Sequence, residues 1–185
     1  METDKLTGLL LFDGFLDFAK DYLAKSNTDD HIAIISTDLS KFKYINRVYG
    51  FTSGDKLIRK LAELFMGREE CVAACRPYSD HIVGLFNLKD KDVRECVECV
   101  RLLQNSFVAE NKADYSKASI HLNTGIYEIV DRKEEISSAL DKANIARRSV
   151  KGNYSVPCAI YTKEMQERRE GDEKIIPLFE KAVEE

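Results

Sequence analysis

Two short apolar runs, residues 71–77 and 81–87, are separated only by Tyr78-Ser79-Asp80. Strands this close pair antiparallel, because a parallel pair needs a crossover of about a dozen residues or more. This hairpin sits at the centre of a longer alternation. Before it comes Ile32-Ala-Ile-Ile-Ser-Thr, apolar enough for a buried strand and closed by Asp38. A turn and short helix over 39–49 follow, then a helix carrying Leu57, Ile58, Leu61, Ala62, Phe65 and Met66 at helical spacing. After the hairpin the pattern predicts a helix over 90–107, a strand over 118–127 and a helix over 134–149. The core order β-α-β-β-α-β defines an α+β, ferredoxin-like fold with an antiparallel-centred sheet flanked by helices. An amphipathic helix over 8–25 precedes it, and a short strand from Val156 to Tyr161 follows.

A chain of 185 residues without Pro/Gly/Ser-rich linkers or repeats reads as one domain, residues 1–162, followed by a connecting helix over 163–185. Residues 163–174 are nearly all polar and read as a solvated helix. Ile175, Ile176, Phe179, Ala182 and Val183 then form an apolar stripe that needs a cover. The net charge of −4 argues against a protein that grips nucleic acid through phosphates. No apolar run approaches the roughly 20 residues that span a bilayer, and no signal-peptide pattern opens the chain. The expectation is therefore a soluble, cytoplasmic protein. Cys71, Cys75, Cys96 and Cys99 superficially pass a zinc spacing. The first two lie in an apolar strand and the last two in an apolar helical stripe, so they read as core side chains.

The stretch from Asp38 to Asp55 holds the residues best suited to chemistry. Asp38 ends a buried strand, where a carboxylate either holds a divalent ion shared with a phosphate substrate or caps the next helix. Lys43 begins a helix, a place suited to a polyphosphate or simply to solvent. Asn46 and Asp55 form a pair able to read a purine edge.

These residues resemble the nucleotide-binding segment of GGDEF (diguanylate cyclase) domains, D-x-D-x-F-K-x-I-N-D-x-x-G-H-x-x-G-D. The chain matches it at Asp38, Phe42, Lys43, Ile45, Asn46, Gly50, Gly54 and Asp55. Asp4-Lys-Leu-Thr-Gly-Leu9 is similar to the family's opening D-x-L-T-G-L, and Asn123-Thr-Gly125 falls at its S-x-G. Ala143, Ala146 and Lys151 follow its late pattern A-D-x-A-L-Y-x-A-K, so the likeness spans residues 4–165. It implies a cyclase-palm fold in agreement with the order read above. It also implies the family's reaction: two facing domains join two GTP molecules into cyclic di-GMP, with Mg²⁺ supporting attack of a 3′-hydroxyl on an α-phosphate.

The departures are extensive. The signature G-G-D-E-F maps onto Tyr78-Ser79-Asp80-His81-Ile82, where only the Asp is kept. Tyr and Ser disfavour the tight tip that glycines accept, and His81 replaces the acid that assists deprotonation of the attacking hydroxyl. Ser40, Arg47 and Phe51 replace the second Asp of D-x-D, the Asp after Asn46 and the His. Ser155 stands where an Arg is usual, and Glu69 and Val72 occupy the product-inhibition pattern R-x-x-D.

By resemblance, Asp38 and Asp80 are the metal candidates, and Lys43, Asn46, Asp55 and Lys151 the nucleotide-binding candidates; no residue is assigned to catalysis. Asp38 as a cap and Asp80 as a turn residue is the plainer reading. Residues 178–185 resemble the start of a junction to an EAL phosphodiesterase domain. The expectation is a catalytically impaired GGDEF domain serving as a regulatory, GTP-binding module in cyclic di-GMP signalling, with an EAL domain or a second copy as partner. Its rivals are an active cyclase using His81 in place of the acid, and a nucleotide-free dimerisation module.

Overall fold

A computed structural model describes residues 2–171. Its elements are α1 (Phe12–Lys25), β1 (Ile32–Leu39), α2 (Phe42–Tyr49), α3 (Phe51–Met66), β2 (Cys71–Tyr78), β3 (His81–Asn87), α4 (Val93–Asn111), β4 (Leu122–Glu128), α5 (Ile136–Ser149) and β5 (Cys158–Ile160). Residues 163–171 are helical, in line with the solvated helix expected there. The apolar stripe and the junction-like segment lie outside the described residues. No described helix is long and apolar enough to cross a membrane.

The five strands lie in the order β2-β3-β1-β4-β5. All neighbours are antiparallel except β4 and β5. β1 is central, and all eight of its residues are buried. Because successive strand residues face opposite sides, β1 feeds two cores. Ala33, Ile35 and Leu39 join Leu57, Ile58, Leu61 and Phe65 of α3 and Phe107 of α4. Ile32 and Ile34 join Phe15 and Ala19 of α1 and Ala139, Leu140 and Ala143 of α5. Ser36 and Asp38 continue that second face toward α5, and this parity places the candidate site.

Several boundaries differ from the sequence reading, and three of them have a local reason. Residues 8–11 have helical spacing but are not helical. Gly8 sits at φ +74°, and the Asp4 carboxylate accepts the Thr7 N–H and O–H at 2.9 and 2.7 Å, closing a turn. Leu10 then donates its N–H to Ala74 O at 3.0 Å, covering part of the β2 edge. α4 starts at Val93 because Asp92 caps it by accepting the Arg94 N–H at 2.9 Å. β4 begins only at Leu122, where pairing with Leu39 starts.

Cys71, Cys75, Cys96 and Cys158 pack in the core, whereas Cys99, expected on the same apolar stripe as Cys96, is exposed on α4. Cys75 lies in the α1/α5 layer, whereas Cys71 and Cys96 lie in the α3/α4 layer, so the four do not converge. Burial pushes the thiols of Cys71, Cys75, Cys96 and Cys158 up to about 12, which keeps them protonated.

Candidate functional site

The ends of β1, β3 and β4 meet the C-terminal half of α5, and a buried polar cluster fills the junction. Asp38 accepts from Asn123 Nδ2 at 2.7 Å through Oδ1, its neighbour across β4. Its Oδ2 accepts from Arg147 Nη1 in a direct ion pair, and Lys151 Nζ lies 3.8 Å from the same oxygen. The Arg147 side chain is only 4% exposed and that of Asp38 only 10%. Burial, with Arg148 nearby, draws the Arg147 guanidinium down to about 10, which leaves it cationic at neutral pH.

Ser36 ties this pair to the hairpin. Its hydroxyl donates to Asn144 Oδ1 at 2.8 Å and accepts from Arg147 Nε at 3.1 Å. One acceptor position remains, and His81 Nε2 is 2.7 Å away, so His81 carries its proton on Nε2. The remaining lone pair of His81, on Nδ1, is buried without a partner. A second proton would have to sit there, in an apolar surround and near Arg148 and Lys151. Burial, chiefly, pushes the imidazole down to about 4. His81 is 2% exposed and stays neutral at physiological pH. It is placed to pack, not to take a proton from a ligand.

That burial has a measurable consequence. The unfolded chain binds a proton on His81 below its ordinary 6.5, while the folded protein resists until about 4. Between these values the unfolded state holds more protons, so stability is complete above pH 6.5 and falls as pH drops toward 4. By pH 4.5 about 2–3 kcal/mol of stability is lost through His81. Urea midpoints at pH 7 and 4.5 should show the natural protein losing about that much more than His81→Gln, and equal losses would refute it. His31, raised by the hydrogen bond it donates to Glu128, acts in the opposite sense: its contribution is lost as pH rises, and it is common to both proteins.

The hairpin tip forms despite its residues. Ser79 takes φ +49°, the conformation for which glycine is favoured. Local contacts hold it: Arg76 Nε donates to Ser79 O at 2.6 Å, and Arg76 pairs with Asp4 at 3.3 Å. Asp80 Oδ2 accepts the Leu39 N–H at 2.9 Å and Oδ1 accepts from Ser79 Oγ at 3.0 Å. Tyr78 is exposed, its ring 5.0 Å from that of His81.

Asp38 and Asp80 therefore flank the same end of β1, but neither presents a free carboxylate edge. Magnesium asks for several oxygen ligands in near-octahedral geometry. Among the described residues no group of three His, Cys, Asp or Glu side chains is placed to hold a metal ion. The arrangement does not fit a divalent cation as it stands, because a guanidinium already neutralises Asp38.

Of the nucleotide-binding candidates only Lys151 reaches this cluster, and the others lie on α2 and α3. Lys43 is exposed on the first turn of α2, and Lys151 is exposed just past α5. Asp55 is half-buried on α3. Asn46 is the distinctive member: its Oδ1 is buried and has no hydrogen-bond partner. A β-carbon at Gly54 would lie 1.9 Å from that oxygen, so the glycine makes room for the Asn46 amide between α2 and α3.

Arg147, Asn144 and Ser36 were not picked out from the sequence. The signal was present in the spacing. Leu140, Ala143, Arg147 and Val150 recur at intervals of three and four on one buried face of α5. A charge on that stripe demands a buried partner. In the pattern A-D-x-A-L-Y-x-A-K, positions 144 and 147 are Asp and Leu, so both polar partners of Ser36 on α5 depart from it.

With this geometry in hand, the family model for the diguanylate cyclase GGDEF domain matches residues 1–155. The chain belongs to the GGDEF family. Solved structures agree on the fold. The GGDEF domain of TpbB (YfiN) from Pseudomonas aeruginosa is 19% identical with a TM-score of 0.74, the match covering 91% of this chain and 99% of that one. The GGDEF domain of DgcB from Caulobacter crescentus, in complex with c-di-GMP, is 20% identical with a TM-score of 0.66, covering 85% and 94%. The active GGEEF domain of a diguanylate cyclase from Vibrio cholerae is 19% identical with a TM-score of 0.67, covering 83% and 98%. No curated protein matches the chain in sequence.

Proposed function

We propose that this chain is a catalytically impaired GGDEF domain that acts as a regulatory, GTP-binding module in cyclic di-GMP signalling. The observation that carries the reading is the pairing of Asp38 with buried Arg147. Phosphoryl transfer in this family relies on positioning and on metal stabilisation of developing charge. Here the first metal carboxylate is neutralised from within, and the residue at the acid position, His81, is a buried neutral imidazole.

Nucleotide recognition has separate support. Guanine offers N–H donors at N1 and N2, and both Asn46 Oδ1 and the Asp55 carboxylate are acceptors. The Asn46 oxygen has no partner in the protein and is buried against Gly54, so a purine edge that turns this amide outward gains a hydrogen bond and breaks none at that oxygen. Lys43 and Lys151 supply cations for the phosphates. Binding energy of this kind regulates a neighbour only where nucleotide favours one arrangement of the two over another. The neighbour implied by residues 178–185 is an EAL phosphodiesterase domain, with a second copy of this domain as the other candidate.

Incubation with GTP and Mg²⁺ or Mn²⁺, followed by chromatography, should yield no cyclic di-GMP, while calorimetry should detect GTP and lose it in Asn46→Ala. Product that disappears in Asp80→Ala would overturn the impairment. Absence of any heat would leave a nucleotide-free interaction module as the better description.

A further inference from the structure

We propose that Arg147 is the resident counter-cation of this domain, holding the Asp38 oxygen that a divalent ion would need, so that the site takes a phosphate ligand without metal. The nucleotide clause rests on the reading above. The clause about Arg147 stands without it.

Arg147 reaches Asp38 from the buried face of α5, with Nε fixed by Ser36 Oγ at 3.1 Å. Ser36 is itself fixed by Asn144 and by His81 Nε2. A guanidinium held on two sides by buried partners is part of the framework, unlike a surface arginine that could swing away to admit an ion. Swinging out would strand Asp38 in a low-dielectric site and break the set around Ser36.

The Asp38–Arg147 pair is neutral overall, so it offers a divalent ion no net attraction, and an ion at Asp38 would meet the guanidinium as a like charge at short range. Lys151 Nζ, 3.8 Å from the same carboxylate oxygen, adds to that repulsion. Arg148 lies close enough to depress His81. Asp80 is the other carboxylate at this end of β1, and its Oδ2 is committed to the Leu39 N–H. The balance around the end of β1 favours an anion. A polyphosphate brings the charge the site lacks, and the lysines do the neutralising that a metal would otherwise do.

Mn²⁺ titration of the whole chain tests the Arg147 clause directly. In the natural protein, substoichiometric Mn²⁺ should not selectively broaden the amide resonances of residues 38–41 and 79–81, and millimolar Mn²⁺ or Mg²⁺ should leave the melting temperature unchanged. Arg147→Leu, which restores the family pattern, should melt lower without metal and recover part of the loss when either ion is added. Selective broadening in the natural protein would overturn the proposal, and so would a folded Arg147→Leu that ignores both ions. If Arg147→Leu does not fold, the broadening measurement decides alone.

Calorimetry with GTP, in EDTA and then in excess Mg²⁺, tests the ligand clause. Affinities within about twofold support metal-free uptake, and a gain of about tenfold or more with Mg²⁺ overturns it. No GTP binding in either buffer would sink the nucleotide reading, and with it the ligand clause, while the Mn²⁺ result would still judge Arg147.

Discussion

Asp38→Ala is expected to cost about 3–5 kcal/mol of folding stability, the range for removing one partner of a buried ion pair. The loss arises from what is left behind. Arg147 is 4% exposed and stays a buried cation without its carboxylate, because a guanidinium holds its proton at neutral pH. Asn123 Nδ2 loses its acceptor in the same step. Lys151 gives no relief, since it adds a second cation beside the empty place. Replacing both partners removes the uncompensated charge, so Asp38→Ala combined with Arg147→Leu should be less damaged than Asp38→Ala alone by about 1–4 kcal/mol. Urea unfolding of the three proteins measures this coupling. A single variant within about 1 kcal/mol of the natural protein would show that Arg147 has another partner or reaches water. The same result bears on function. A carboxylate on which the fold depends this heavily is a structural group, and its retention in the chain does not argue for retained metal chemistry.

The sequence made the sheet legible because its signals were local. Ile32 to Thr37 is apolar enough to be central, and Tyr78-Ser79-Asp80 leaves too little chain for anything but a hairpin. Residues 8–11 misled because leucines at helical spacing also suit an edge, and the deciding feature was the turn made by Asp4, Thr7 and Gly8. The site was half legible. The positions of Asp38, Lys43, Asn46 and Asp55 followed from the motif, but their states did not. Whether a carboxylate is free depends on what arrives from 109 residues further along the chain, and only the place of Arg147 on the buried stripe of α5 hints that it needs a partner. His81 maps onto the family's acid position, and only the rival reading of an active cyclase gives it an acid-base role. The strand it begins is almost wholly buried, and that decides its protonation.

Gly125→Ala should be the most damaging single-methyl change in the domain, costing about 3 kcal/mol or somewhat more. The glycine lies in β4 opposite Ser36, and α5 crosses directly over it. A β-carbon there would fall 2.1 Å from Ala143 O and 2.2 Å from Arg147 N. Both are backbone atoms within a helix, so no side chain can turn aside, and α5 must lift as a unit. Lifting it pulls Arg147 from Asp38 and Asn144 from Ser36, so the packing loss and the polar loss arrive together. Gly14→Ala provides the contrast. That glycine is inside α1 with nothing within 4 Å of the added carbon, so the change should stabilise by about 0.5–1 kcal/mol through helix propensity alone. Denaturant midpoints of the two variants should therefore move in opposite directions. If Gly125→Ala unfolds within about 1 kcal/mol of the natural protein, α5 is not clamped to β4, and Arg147 has the freedom to leave Asp38 that the counter-cation role denies it.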